Sequence, residues 1–399
     1  MNDITLQAQS RVDVRTKLIC YLSLFMTMLL LGSIQTTKGM VLSQVQADID
    51  ISMTMIGTLL SIFQLGFTGA AMVTGYLTDK KGIRIMMLSG SGLMVMGLVG
   101  TGLAGSALFF LGFYAVIGLG IGSMLTAICS VIPKVFPEKA STLFNVGNAM
   151  FGVGLIAAPL ALNYISANDQ TWRLFYFSIT AIVVVIMVMM ATIELEKLEE
   201  SDRLTVADAV TVLKDKKVLL LLSFFTFYVA MEASFFNFFP LFMQNADIAG
   251  MTLEEKTAGA GKILASFGFV FTICRFLGGM ITTKLGESNT LVLFSLISCI
   301  SLILGTMYVE NATILFGIFG FGLSLLWTTA QTIICRGTNK EGTVIGLTYM
   351  AAGLGGTVSG MLIGTVSDSF GVDAGFGVIA IFGLITLTLA LITKKVIDR

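Results

Sequence analysis

The chain alternates between long apolar runs and short polar stretches. A helix needs about 20 apolar residues to cross the hydrocarbon core of a bilayer, and twelve runs reach that length. They cover residues 18–42, 52–78, 84–104, 107–132, 142–164, 172–193, 218–243, 258–283, 289–308, 312–335, 343–366 and 374–394. The pattern predicts an all-α integral membrane protein with twelve transmembrane helices.

Only one connection between the runs is long. Residues 194–217 are acidic first and basic afterwards, and their apolar residues are spaced as in an amphipathic helix on the membrane surface. This connection predicts an N-terminal six-helix half at 1–193, a cytoplasmic linker at 194–217 and a C-terminal six-helix half at 218–399. A repeat supports the division, because Gln46-Ala47-Asp48-Ile49 closes the first run and Asn245-Ala246-Asp247-Ile248 closes the seventh.

Composition agrees with a membrane protein. The chain is 55% hydrophobic and 12% charged, with a mean hydropathy of +0.91, whereas soluble domains carry about 25% charged residues. The net charge is zero and histidine is missing, which argues against a nucleic-acid partner and removes a common metal ligand. The five cysteines are scattered through apolar runs without a CxxC pair. We therefore expect no metal, no cofactor and no enzymatic activity.

The basic residues give the orientation. With the N-terminus inside, 19 of the 24 lysines and arginines fall on the cytoplasmic side, as the positive-inside rule requires. The sequence therefore predicts a multi-pass protein of the cytoplasmic membrane with both termini in the cytoplasm.

A polar hinge joins the second and third runs. It reads Gly75-Tyr76-Leu77-Thr78-Asp79-Lys80-Lys81-Gly82-Ile83-Arg84, and a degraded copy, Gly279-Met280-Ile281-Thr282-Thr283-Lys284-Leu285-Gly286, follows the eighth run. The hinge resembles the signature between the second and third helices of the major facilitator superfamily. That resemblance implies two pseudo-symmetric halves, transport by alternating access between them, and a gating role for this motif. Its gating residues are Gly75, Asp79, Lys80, Gly82 and Arg84.

Three ionisable side chains lie inside the predicted spans, where such groups are costly and usually functional: Lys38, Glu232 and Arg275. Lys38 lies about 6 Å from the outer end of its span, Glu232 about 17 Å deep and Arg275 about 26 Å deep. This spacing predicts that one small ligand does not readily reach both cations.

Each of the three has a functional and a structural interpretation. Glu232 is the candidate for proton coupling, or it forms a structural ion pair with Lys38 or Arg275. Lys38 binds substrate or gates, or it reaches the headgroups as long cationic side chains do near helix ends. Arg275 contacts substrate or a gate, or it packs beside the second hinge.

Amides and aromatic residues within the spans complete the set of substrate-binding candidates. Besides the three ionisable residues, these are Gln35, Gln64, Asn145, Tyr228, Asn237, Trp327 and Gln331. Amides donate and accept hydrogen bonds and aromatic rings stack on sugar faces, so the set suits a hydroxyl-rich ligand. For each amide, the alternative is a hydrogen bond between helices.

A narrower resemblance concerns about a tenth of the chain. The stretch Phe227-Tyr228-Val229-Ala230-Met231-Glu232-Ala233-Ser234 is similar to span seven of the fucose/glucose proton-symporter family. Residues of spans four and five, from Gly118 to Asn145, echo that family as well. Members place acids on spans one and four, where this chain has Lys38 and Leu125.

The sequence thus predicts a monomeric secondary active transporter of a small polar solute, a sugar or sugar-like molecule, coupled to protons. Its partners are that solute, protons and membrane lipid. Two alternatives stay open: an organic-anion or carboxylate transporter that uses Lys38 and Arg275, and proton-driven efflux of amphipathic compounds.

Overall fold

The computed structural model describes residues 13–49, 51–136, 140–168, 171–193, 212–248, 250–336 and 341–397. These residues are helical throughout except for short connections, and twelve helices are long and apolar enough to cross a membrane. The predicted all-α membrane fold is confirmed. The proposed linker helix lies almost wholly in 194–211, outside the described residues.

The first half contains six helices: α1 (Val14–Ile49), α2 (Met53–Lys81), α3 (Ile83–Leu103), α4 (Ala107–Val135), α5 (Ala140–Ala167) and α6 (Arg173–Ala191). The second half contains α7 (Lys216–Asn245), α8 (Leu253–Leu285), α9 (Glu287–Met307), α10a (Ala312–Ser324), α10b (Leu326–Cys335), α11 (Glu341–Phe370) and α12 (Val372–Ile397). The tenth span is a single run in sequence, but the helix is interrupted at Leu325.

The two hinges have the same backbone conformation. Gly82, between α2 and α3, has φ +88°, and Gly286, between α8 and α9, has φ +78°. Each donates its N–H to a threonine carbonyl one turn earlier, Thr78 and Thr282 respectively. Only glycine adopts positive φ at little cost, so the duplicated hinge of the sequence corresponds to a duplicated turn.

We call the end of the bundle where Val14 begins α1 and Ile397 ends α12 the terminal end, and the opposite one the far end. The halves meet closely toward the far end, where α2 packs against α11. Gly57 and Gly360 lie so near each other that a side chain at Gly57 would overlap the Gly360 backbone. Ser61 Oγ donates to the Thr357 carbonyl at 2.6 Å. Small residues allow this close approach of helices.

The Asp368 carboxylate links α2 and α11 at the far end of their interface. The backbone N–H groups of Met53 and Thr54, at the start of α2, donate to the two oxygens of Asp368 at 3.0 and 2.7 Å. The first N–H groups of a helix have no partner within the helix and attract anions. Asp368, on α11, therefore joins the two halves through the α2 N-terminus.

The helices α5 and α8 also meet between the halves. Asn163 Nδ2 donates to the Ala258 carbonyl at 3.0 Å, near the far end. Toward the terminal end the contact gives way to a cavity of about 570 Å³ between α5 on one side and α8 and α10b on the other. The bundle is thus packed together at the far end and open at the terminal end.

Candidate functional site

Arg275 lies on α8, ten residues before its end at Leu285, or about 15 Å from the terminal end. Its Nε donates to the Ser324 carbonyl at 3.1 Å, at the interruption of the tenth helix. The guanidinium carbon lies 4.2 Å from the centre of the Phe271 ring and 5.9 Å from that of Phe151 on α5. Phe271, Phe151 and Ser324 hold the guanidinium by cation–π contacts and one hydrogen bond. Arg275 lines the cavity from this position.

Tyr228 and Glu232 lie one turn apart on α7. The Tyr228 hydroxyl donates to Glu232 Oε1 at 2.8 Å. Both residues also interact electrostatically with Arg275. The Tyr228 ring is fully buried against Trp327, with ring centres 6.2 Å apart. The structure therefore brings together Tyr228, Glu232, Arg275 and Trp327, four of the residues predicted to bind substrate.

Lys38 faces the interior of the bundle, where it is only 3% exposed. Its Nζ donates to Gln35 Oε1 at 2.9 Å and lies 4.0 Å from the centre of the Phe63 ring. The interpretation that Lys38 reaches the headgroups is wrong, because its ammonium group is enclosed by side chains of the protein.

Lys38 lies within two helical turns of the level of Glu232. Gly39, next to Lys38, packs against the backbone of Asn237 on α7. Asn237 is five residues from Glu232, which corresponds to about 7.5 Å along the helix. That one small ligand does not readily reach both Lys38 and Arg275 stays a prediction.

Lys38 is buried and Arg275 is half-buried, and neither contacts an acidic side chain in the part of the chain that the structure describes. No carboxylate oxygen there lies within 4.0 Å of either residue. A structural ion pair of Glu232 with either cation is therefore not formed, although Arg275 is near enough for a longer-range attraction.

The other predicted site residues are dispersed. The Gln64 side chain packs against Gly356 in the α2–α11 seam. Asn237 is 4% exposed and its Oδ1 has no hydrogen-bond partner. Gln331 Nε2 points to Cys335 Sγ at 3.6 Å. The side chain of Asn145 lies outside the described residues, although its backbone is part of α5.

The gating motif is described in part. Gly75 packs loosely against Thr126 of α4. Arg84 donates to the Ala191 carbonyl at 2.8 Å, which joins α3 to α6 within the first half. The side chains of Asp79 and Lys80 lie outside the described residues. The gating role of this motif stays a prediction.

The cavity contains residues that the sequence analysis did not single out. Its polar lining besides Arg275 consists of Asn148, Thr272, Thr282, Thr283, Glu287, Thr328, Thr329 and Thr332. Threonine is common in membrane helices, so composition alone gave no signal. The one usable signal in the sequence was the spacing of Thr328 and Thr332, which are four residues apart and therefore lie on one face of a helix. Near the cavity mouth, Glu287 forms an ion pair with Arg336.

The described residues contain no cluster of three or more histidine, cysteine, aspartate or glutamate side chains suited to a metal ion. The polar groups that converge on the cavity are instead a guanidinium, amides and hydroxyls. They can bind a small polar solute.

Comparison with known proteins gives a consistent result. The sequence model of the Major Facilitator Superfamily matches residues 18–359 and 253–397. The oxalate:formate antiporter of Oxalobacter formigenes is 20% identical over 383 residues, which cover 91% of this chain and 88% of that protein. The hexuronate transporter of Bacillus subtilis (strain 168) is 32% identical over 132 residues, 31% of each chain.

Solved structures share the fold. The nucleoside transporter NupG superimposes with a TM-score of 0.76 at 13% identity, over 96% of this chain and 99% of that one. The fucose:proton symporter FucP of E. coli superimposes with a TM-score of 0.65 at 16% identity, over 94% and 98%. At these identities the likeness concerns the architecture.

Proposed function

Because the chain belongs to the Major Facilitator Superfamily, a family of transporters rather than enzymes, we propose that it is a secondary active transporter of organic anions. The solute carries a carboxylate, and access alternates by rocking of the two six-helix halves. Of the alternatives that the sequence left open, this is the carboxylate transporter that uses Lys38 and Arg275.

The observation that carries the proposal is that buried Lys38 and half-buried Arg275 have no carboxylate within 4.0 Å among the described residues. A cation inside the membrane is costly unless a counter-charge or hydrogen bonds compensate it. Lys38 has one amide oxygen and one ring, and Arg275 one carbonyl and two rings. A carboxylate that enters between the halves supplies the missing charge. The names of both sequence relatives, an oxalate:formate antiporter and a hexuronate transporter, refer to carboxylates.

Glu232 supports proton coupling as a second component of the proposal. It is half-buried, it is hydrogen-bonded to Tyr228, and it lies near Arg275. Protonation of Glu232 would leave the guanidinium free to bind an anionic solute, which links the two binding events. The proton symport of a neutral sugar rests on the same carboxylate but leaves both cations without a role. Efflux of amphipathic compounds is less well supported, because the cavity lining is rich in hydroxyls and carries a guanidinium.

The sidedness follows from the charges. We propose that the terminal end faces the cytoplasm, since the basic residues concentrate there. On this assignment the structure is an inward-open state of a cytoplasmic-membrane protein, with Asp368 closing the outer side. We keep 1–193 and 218–399 as the two moving halves, a monomer as the working unit, and Asp79 as a contact of the closed inner side.

The test is uptake by purified protein in liposomes of two solutes that share a ring, glucuronate and glucose. We expect glucuronate to accumulate above protein-free liposomes and glucose not to. An acid-outside gradient should stimulate this uptake in the wild type, and Glu232→Gln should lose the stimulation. Transport of glucose in preference to glucuronate would reject the anion proposal and restore the sugar interpretation.

A further inference from the structure

The wall of the cavity beside Arg275 is formed mainly by threonine hydroxyls. Thr272, one turn before Arg275 on α8, and Thr283, farther along the same helix, lie on one side. Thr328 and Thr332 of α10b face the same space, and both are exposed. The hydroxyls of Thr283, Thr328 and Thr332 therefore line the route between Arg275 and the terminal end, and Thr272 lies on the far-end side of Arg275.

The hydrogens of these hydroxyls are already used. Thr272 Oγ1 donates to the Gly268 carbonyl at 2.6 Å, and Thr283 Oγ1 to the Gly279 carbonyl at 2.7 Å. Thr328 Oγ1 donates to the Leu325 carbonyl at 3.2 Å, and Thr332 Oγ1 to the Thr328 carbonyl at 2.9 Å. A hydroxyl has one hydrogen and two lone pairs. In these positions Thr283, Thr328 and Thr332 offer the cavity their lone pairs, whereas the Thr272 oxygen packs against Gly152 of α5.

Two more groups extend this lining. Asn148, on the α5 side, donates from Nδ2 to the Phe144 carbonyl at 3.0 Å and keeps its amide oxygen as an acceptor. The Thr329 hydroxyl, buried to 3% exposure, has no hydrogen-bond partner. A buried hydroxyl without a partner is unfavourable unless a ligand or water completes it.

Positive charge in the lining is confined to one place. Among the residues that the structure describes, Arg275 is the only cation and Glu287 the only carboxylate in the lining. Glu287 is paired with Arg336. A ligand therefore meets one guanidinium for an anionic group and, for the rest of its length, a surface composed mainly of oxygen acceptors, to which Thr329 adds one unpartnered hydroxyl.

We infer that the solute of this cavity is a hydroxylated carboxylate, such as a sugar acid, and that the threonine wall selects for its hydroxyl groups. The inference rests on the proposed transport of organic anions and adds the substrate class. The carboxylate binds at Arg275, and the hydroxyls of the solute donate to the threonine and asparagine oxygens. An unsubstituted dicarboxylate has no donors for these acceptors and brings its second charge against their lone pairs.

The experiment compares two six-carbon dicarboxylates of equal charge, galactarate with four hydroxyls and adipate with none. We expect wild-type protein in liposomes to show a kcat/KM for galactarate at least about tenfold above that for adipate, since several hydrogen bonds of modest strength add up. Thr328→Val together with Thr332→Val should raise the KM for galactarate roughly 3- to 10-fold per hydroxyl and leave adipate unchanged.

The matched control is Thr388→Val. Thr388 lies exposed on α12, does not line the cavity, and donates to its own helix at Leu384 just as the wall threonines do. Thr388→Val should change the transport of neither galactarate nor adipate. This result would separate the loss of a ligand contact from the loss of a hydrogen bond within a helix.

Equal transport of galactarate and adipate would overturn the inference and leave the anion proposal standing. An equal loss of galactarate and adipate transport in the Thr328→Val, Thr332→Val double variant, with transport by Thr388→Val unchanged, would also overturn the inference. The threonines would then serve helix packing. No transport of either dicarboxylate or of glucuronate would instead reject the anion proposal itself.

Discussion

Replacement of Arg275 by glutamine should lower kcat/KM for glucuronate at least about 30-fold, because removal of one partner of a desolvated charge pair typically costs 2–5 kcal/mol. Arg275→Lys should retain little more of the wild-type kcat/KM than Arg275→Gln does. The three N–H donors of lysine radiate from one tetrahedral nitrogen and lack the planar fork of arginine, so lysine cannot bond the Ser324 carbonyl and also bind both oxygens of a carboxylate side by side. Initial uptake rates in liposomes, at matched protein incorporation, measure both effects.

The control is Arg173→Gln. Arg173 is also a guanidinium at a helix, where it pairs with Asp48 at 3.3 Å, but it lies at the far end and outside the cavity. Glucuronate uptake by Arg173→Gln should stay near the wild-type value. If Arg275→Lys kept full activity, bidentate recognition at this position would be disproved.

Replacement of Lys38 by methionine should stabilise the protein and inactivate it. The ammonium is buried against Gln35 and Phe63 with no acid within 4.0 Å among the described residues, and a charged residue within a span costs up to about 3 kcal/mol on insertion scales. Methionine keeps the length of the chain and removes that cost. We expect the unfolding temperature of Lys38→Met in detergent to rise by a few degrees while glucuronate uptake falls to the background.

Lys262→Met is the matched control, since Lys262 is exposed near the start of α8. It should alter neither stability nor uptake. A less stable but active Lys38→Met protein would show that the lysine serves packing, and the anion proposal would lose one of its two cations. The opposite movements of stability and activity are what a retained, costly functional charge predicts.

The sequence was sufficient for the architecture. Twelve apolar runs predicted twelve membrane-crossing helices, and the two polar hinges predicted a duplicated turn, which Gly82 and Gly286 form with the same sign of φ. These features are local, since the length of an apolar run and the conformational freedom of glycine do not depend on distant residues.

The sequence predicted which residues belong to the site but not how they are arranged. Glu232, Arg275 and Tyr228 could be found as polar groups within spans, but their approach depends on how α7 and α8 pack. The burial of Lys38 could not be predicted from its place near the end of an apolar run, because it depends on contacts with Gln35 and with Phe63 of α2. The threonine wall was missed because the role of a threonine in a membrane helix depends on which groups surround its hydroxyl, and those are set by helix packing.

The central claim is that Lys38 and Arg275 form an anion-binding site between the halves. Isothermal titration of purified protein with glucuronate and with glucose tests it most directly, because binding needs neither a gradient nor a full transport cycle. The account predicts that the wild type binds glucuronate at least about tenfold more tightly than glucose, and that Arg275→Gln abolishes this preference. Equal affinities in the wild type, or a preference for glucuronate that Arg275→Gln leaves intact, would contradict the account.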